Sequence, residues 1–353
     1  MREFFSKFFQ SGKWKDALKI LLALVLMGVV LSQTSLTEII SLQHRLSWTW
    51  LILSLLLLAA TTLLKALQYW ALLGGRASYR DTLKIVIIQN ALTNFVANTA
   101  GIASYLAMFQ MDQNVKVRQS GAVFLLTKAG DILSMGLFLL VSASVVWTRV
   151  PVLHEVTIFL LVAVALGLTI FWTAVLLRQT FVGFLRRVLA TLRADRFSLI
   201  QRGLTALDSL AAQDSESVRR TLFVGASTSL LYMTATMLYG YSRVQTFLVP
   251  LDLWAIIFVA SLVQFISIIP FQVFGGLGVT EISLVYFYGL FGITEDIPAI
   301  LVALRVLFYL FNLILLAYIP MDTFLGRKQP AEREPKDFRV PPRSSASHKE
   351  QDE

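Results

Sequence analysis

Four ionisable side chains stand inside long apolar runs. Glu281 closes the stretch Pro270-Phe271-Gln272-Val273-Phe274-Gly275-Gly276-Leu277-Gly278-Val279-Thr280-Glu281, Arg305 sits within the following run, and Lys128 and Asp131 share an earlier one. A carboxylate at the centre of a bilayer costs about 2.5–3.5 kcal/mol on insertion scales, so it persists where a cavity or a partner offsets that cost. Gly275, Gly276 and Gly278 free the backbone beside Glu281 for conformations closed to other residues. A glycine cluster joined to a carboxylate predicts a broken helix lining a polar cavity, because irregular backbone at membrane depth must be satisfied by protein or water. The alternative is a short surface loop with a solvated Glu281. Asp131 lies roughly 15 Å into its run at about 1.5 Å per residue, too deep for so short a side chain to reach water. Lys128, three positions earlier, shares its helical face and is placed to meet it, as part of a ligand site or as a structural ion pair.

A second polar set interrupts the run 85–111. Asn90, Asn94 and Asn98 recur at i, i+4 and i+8 on one helical face, followed by Thr99, Gly101 and Ser104. A stripe ending in Thr-Ala-Gly predicts a half-helix that enters the bilayer and turns back. An ordinary span joined to its neighbours by amide hydrogen bonds is the competing reading. The chemistry these groups support is recognition of charge. A helix N-terminus at Thr280 and Glu281 offers free N–H groups and a positive dipole end, and Lys128 and Arg305 add cations. An anionic headgroup suits such a site, with Glu281 and Asp131 balancing the charge when it is empty. No nucleotide loop, metal-ligand cluster or nucleophile–base pair is recognisable, so no catalytic residue, metal or cofactor is expected.

These residues need elements that cross a membrane. Apolar residues make up 56% of the chain and charged residues 15%, far from a water-soluble balance, and the runs are too continuous for alternating barrel strands. The fold class is therefore all-α membrane protein. Cysteine is absent, which excludes disulfides and thiolate chemistry, and His44, His154 and His348 are too dispersed for a metal site. The formal charge of +9 gathers in loops beside the apolar runs, which points to anionic lipid rather than nucleic acid. Arg2, Lys7, Lys13 and Lys15 among aromatic residues predict an N-terminal segment lying on the membrane surface, followed by a first span over 17–33 that is retained rather than cleaved. Further spans are expected at 48–73, 121–147, 156–177, 221–241 and 298–319, with Lys65 snorkelling from the far end of the second. The connector 178–220 reads as an interfacial helix with arginines opposite apolar residues, and 326–353 as a disordered tail.

Lysine and arginine mark the N-terminus, 76–84, 112–118, 178–220 and the tail as cytoplasmic, in the cell membrane. That map closes only if 85–111 enters and leaves from the inside and 254–291 from the outside. About six full spans and two re-entrant hairpins then form an inverted-topology repeat, 17–147 against 156–320, within a transmembrane domain over 1–325. Gly101 precedes Lys128 by the interval that separates Gly278 from Arg305, and the same offset pairs Thr99 with Gly276 and Ser104 with Glu281. Inverted repeats with broken helices are the architecture of secondary transporters.

The run from Gly275 to Glu281 with Arg305 after it, and the pair Lys128 and Asp131, resemble the signatures of the lysylphosphatidylglycerol synthase transmembrane region, a flippase-like family. The resemblance runs to about Arg327 and implies a multi-pass protein that moves a lipid such as a phospholipid, an aminoacyl-phospholipid or a polyprenyl phosphate between leaflets. The first-half glutamate of the family motif is missing, since the chain has Asn98-Thr99-Ala100-Gly101-Ile102-Ala103-Ser104, and no soluble aminoacyltransferase domain follows. The expected function is lipid transport, not catalysis, through a site of Glu281, Arg305, Lys128, Asp131, Gly275, Gly276, Gly278, Asn94, Asn98 and Ser104. The alternatives are a non-transporting partner of a lipid-modifying enzyme or glycosyltransferase, and a headgroup transferase using Glu281 or Asp131 as base.

Overall fold

A computed structural model describes residues 42–176, 215–266, 279–293 and 297–319. They are mostly helical, with no strand among them. In chain order the helices are α1 (Trp48–Leu72), α2 (Tyr79–Phe95), α3 (Asn98–Gln113), α4 (Val117–Val146), α5 (His154–Leu176), α6 (Ser215–Gln245), α7 (Leu253–Ile266), α8 (Val279–Leu290) and α9 (Ile297–Leu316). Five of them, α1, α4, α5, α6 and α9, are long and apolar enough to cross a membrane. They coincide with five of the six expected spans. The expected span 17–33, the interfacial helix up to 214, the turn 267–278 with Gly275, Gly276 and Gly278, and the tail 326–353 lie outside the described residues.

Local chemistry sets the turns. Gly74 and Gly75 both take positive φ between α1 and α2, a backbone region that glycine enters without a Cβ penalty. Ser78 then caps α2, its hydroxyl accepting from the Asp81 N–H at 3.1 Å. Asn114 ends α3 in the left-handed conformation, and the Val115 N–H reaches back to the Phe109 carbonyl at 3.0 Å. Many hydroxyls inside the spans donate to carbonyls one turn back. Thr61 and Thr62 both bond the Leu58 carbonyl, so they leave no polar atom facing lipid.

The break between α2 and α3 shapes the site. Ala97 is extended, and the N–H groups of Val96 and Ala97 share the Leu92 carbonyl at 3.0 Å each. α3 folds back along α2, bringing Gly101 against Thr93 and the Gln89 carbonyl. The turn therefore falls at Val96 and Ala97, a little before the expected Thr-Ala-Gly, which forms the first turn of α3. Asn98 consequently belongs to a different helix from Asn90 and Asn94.

α1 packs chiefly on α6, α2 on α3, and α4 on α7 and α6. Further packing joins α1 to α2, α6 to α7, α2 to α9, α3 to α4, α7 to α8, α8 to α9, and α1 to both α4 and α9, while α5 lies against α4. The largest apolar core joins Leu139, Val146, Ile256, Phe258, Phe287, Ile300 and Leu304, and Met135, Met233, Met237 and Ile257 form a second cluster between α4, α6 and α7. At the loop ends Arg149 pairs with Asp252, which also caps α7 through the Trp254 and Ala255 N–H groups. Partial burial works against the Asp252 carboxylate, but the Arg149 bond and the capping bonds outweigh it and hold the carboxyl below the ordinary aspartate range.

Close packing of the α2–α3 hairpin has a measurable consequence. A Cβ added at Gly101 would lie 1.9 Å from Thr93 Oγ1 and 2.8 Å from the Gln89 backbone oxygen, which cannot swing away. Gly167 on α5 meets nothing within 4 Å. Gly101→Ala should cost about 1–3 kcal/mol, whereas Gly167→Ala should be neutral or gain up to about 1 kcal/mol of helix propensity. Thermal unfolding in detergent separates the two, and equal melting temperatures would rule out the tight hairpin.

Candidate functional site

A cavity of about 270 Å³ lies among α1, α2, α3, α4, α6 and α9. Its wall is mixed in character. Thr61, Lys65 and Tyr69 come from α1, Gln89, Asn90, Thr93 and Asn94 from α2, Asn98 from α3, Lys128 from α4, Thr236 and Tyr239 from α6, and Phe308 and Asn312 from α9. Asn90, Asn94 and Asn98 thus reach one space from two helices, because the hairpin turn swings Asn98 back beside the other two. The Lys128 side chain is exposed and lies 5.7 Å from the Phe124 ring.

On one side of the cavity a buried polar network joins α1, α4 and α6. Lys65 Nζ donates to Asp131 Oδ2 at 2.5 Å and to Gln68 Oε1 at 3.0 Å. Gln68 Nε2 in turn donates to Ser229 Oγ at 2.5 Å and approaches Asp131 Oδ1 at 3.5 Å. The Tyr232 ring covers the ammonium at 4.2 Å, a cation–π contact that desolvation strengthens. The network corrects two expectations. Lys65 does not snorkel: it is 8% exposed and held at depth by Asp131. Asp131 pairs with Lys65 rather than with Lys128, which turns to the cavity. Asp131 sits midway along a 30-residue helix, and the cation that reaches it is on α1. Gly130 lets α4 approach α6 closely enough for this, since a Cβ there would lie 2.3 Å from Ser229 Oγ.

On the other side, Glu281 in the first turn of α8 pairs with Arg305 of α9 at 3.4 Å, and Glu281 is only 3% exposed. Arg305 Nε donates to Tyr309 Oη at 3.3 Å, and its guanidinium lies 5.2 Å from the Tyr309 ring and 5.7 Å from Phe308, a cavity residue. Tyr309 stacks on Phe95 at the hairpin tip, with centroids 5.4 Å apart. One turn further along α9, Asn312 Oδ1 accepts from Asn94 Nδ2 at 2.9 Å, while Asn312 Nδ2 bonds the Phe308 carbonyl. The α2 tip is thereby fastened to the helix that carries Arg305.

Of the residues singled out in the sequence, Lys128, Asn94 and Asn98 meet at the cavity, while Asp131 and the Glu281–Arg305 pair flank it. Ser104 does not join them, for its hydroxyl bonds the Gly101 carbonyl within α3 at 2.8 Å. The sequence reading missed Lys65, Gln68, Tyr69, Ser229, Tyr239 and Asn312. A signal was present in Thr61, Lys65, Gln68 and Tyr69, whose three- and four-residue spacing draws a polar stripe along a helix rich in leucine and alanine. Metal ligation finds no support among the described residues, which hold no cluster of three or more candidate ligands.

Span-length apolar helices around a polar, cation-bearing cavity define a polytopic helical membrane protein with an internal site. The family model of the lysylphosphatidylglycerol synthase TM region matches residues 17–317, and the chain belongs to that family. Membership places it among membrane proteins of lipid biosynthesis or flippase-like function. No match was found among curated proteins or among solved structures.

The Lys65–Asp131 pair can be tested as a unit. Lys65→Met or Asp131→Leu alone leaves an uncompensated buried charge and should cost about 3–5 kcal/mol, whereas the double variant should recover most of that loss. Melting temperatures of the three variants give the coupling. Strictly additive losses would mean that the two side chains do not share the interaction.

Proposed function

We propose that the protein is a lipid transporter of flippase type, carrying an anionic or amphiphilic headgroup between leaflets by alternating access through this cavity. The observation that carries the reading is the cavity itself. Helices α1 to α4 and helices α6 and α9, from opposite halves of the chain, wall a space of mixed polar and apolar character, with no catalytic constellation among the described residues that line it. The inverted repeat draws support from the packing. Exchanging α1, α2, α3 and α4 for α6, α7, α8 and α9 sends the α2–α3 pairing to α7–α8, α4–α7 to α9–α2, α4–α6 to α9–α1, α1–α2 to α6–α7 and α3–α4 to α8–α9. The α1–α6 pairing maps onto itself, as a pairing beside a pseudo-two-fold axis would, and α1–α4 has no counterpart among these pairings. Repeats rocking about a midplane site are how such architectures expose a site to either face.

In this reading α9 is the sensor of occupancy. Arg305, held between Glu281 and Tyr309, sits beside the cavity residue Phe308, so a headgroup in the cavity acts on the same helix that anchors α8. The basic loops favour an orientation with both termini in the cytoplasm, in a cell membrane with anionic lipid headgroups. A lipid-modifying enzyme or a glycosyltransferase would supply or consume the transported lipid.

Reconstitution tests the reading. Purified protein in liposomes should speed exchange of headgroup-labelled lipid between leaflets, and Glu281→Gln should slow it at least several-fold with the protein still folded by its thermal transition. Unchanged leaflet distribution across a broad headgroup panel would sink the proposal.

A further inference from the structure

We propose that the tip of the α2–α3 hairpin is a gate on the cavity, latched shut in this structure by two contacts to α9, Asn94 with Asn312 and Phe95 with Tyr309. The inference rests on the transport reading for its purpose and adds the element that moves. Its basis is an asymmetry in how the hairpin is held. Away from the tip the anchoring is firm. Tyr105 and Phe109 of α3 are fully buried. The Tyr105 ring lies 4.7 Å from Tyr69 of α1, 4.8 Å from Phe109 and 5.6 Å from Phe124 of α4. Tyr105 Oη donates to the Ser120 carbonyl at 3.2 Å, and Tyr79 Oη, at the start of α2, donates to the Leu63 carbonyl of α1 at 3.1 Å.

The tip has a lighter hold. The Lys65–Asp131 pair joins α1 to α4 and the Glu281–Arg305 pair joins α8 to α9, so neither fastens the hairpin. Val96 at the turn is exposed, and Ala97 gives the start of α3 no side-chain cap. The specific contacts from the tip to α9 are one amide hydrogen bond of 2.9 Å and one ring stack with centroids 5.4 Å apart. Parting a buried ion pair strands two charges. Parting this latch strands none, because Asn94 and Asn312 both line the cavity and water entering it can take up their amides.

The two arms of the tip move together. Gly101 lies so close to Thr93 and the Gln89 backbone oxygen that α2 and α3 are tied just behind the turn. A swing of the tip therefore carries the wall residues Asn90, Thr93, Asn94 and Asn98 away from Phe308 and Asn312. Release opens the cavity along the seam between α2 and α9, and closure restores its wall. The latch also has an input. Tyr309 accepts from Arg305 Nε while its ring stacks on Phe95, so a change in the Arg305–Glu281 pair reaches the tip through one side chain.

The chain has no cysteine, so introduced thiols report alone. Spin labels on Val96→Cys and Leu310→Cys, both exposed positions, read the distance from the tip to α9 by double electron–electron resonance in lipid nanodiscs. A short latched distance should predominate, with a longer released one beside it. Asn312→Leu, similar in volume, removes the amide bond and should raise the long-to-short ratio roughly two- to tenfold. Phe95→Leu should act in the same direction, and melting transitions check that both variants fold. Arg149→Gln, which breaks the Arg149–Asp252 contact far from the tip, should leave the ratio unchanged. A ratio that neither seam variant moves, or that Arg149→Gln moves as much, would overturn the gate. In a separate chain, Asn94→Cys with Asn312→Cys, bridged by a short bis-methanethiosulfonate, should halt exchange of headgroup-labelled lipid in liposomes, and reduction should restore it. Exchange at the unbridged rate in fully bridged protein would also overturn the gate. Tip distances that shift as expected in a protein that exchanges no lipid even before bridging would instead overturn the transport reading and leave the gate in place.

Discussion

Everything in this bundle answers to one constraint, that a charge placed among apolar helices must find its opposite. Asp131 lies at the middle of its helix and Lys65 faces it from α1, with Gln68 and Ser229 completing the bonding. Glu281 and Arg305 meet the same requirement between α8 and α9. Each pair joins two helices, so desolvation makes the ion pairs the points at which helix positions are fixed relative to one another. The apolar contacts around them, such as the methionine cluster between α4, α6 and α7, are permissive by comparison and fill space without dictating register.

With four charges satisfied in two pairs, the cavity between them acquires its character from what remains. Lys128 and a set of amides and hydroxyls face it, and the carboxylates stand behind. The hairpin contributes most of the amides because its turn at Val96 and Ala97 brings two helix faces to the same space. Close approach at Gly101 keeps those faces in contact.

Much of the fold was legible in the sequence because span length and apolar content are properties of single segments. The spans at α1, α4, α5, α6 and α9 follow from runs of leucine, valine and alanine, and the polar interruption of 85–111 marked a helix that would not simply cross. Partners were harder to read. Lys128 is the local neighbour of Asp131, yet burial and depth gave the aspartate to Lys65, far away in sequence. Pairing across helices depends on rotation about each helix axis, which the spacing within one segment does not record. The same limit hid Asn312, whose amide meets Asn94 only because α2 and α9 lie side by side. Ser104 was misplaced for the opposite reason: a purely local bond to Gly101 was available and won.

The seam between the hairpin tip and α9 is closed by an amide pair and a ring stack, Asn94 with Asn312 and Phe95 with Tyr309, both neutral. Contacts of that kind vanish within about an ångström of separation, and dissolved ions do not screen them. The Arg149–Asp252 pair joining α4 to the start of α7 is a contact between exposed full charges, and added salt weakens it. These two contacts therefore respond to different variables, one to local geometry alone and the other to the ionic strength of the water beside it.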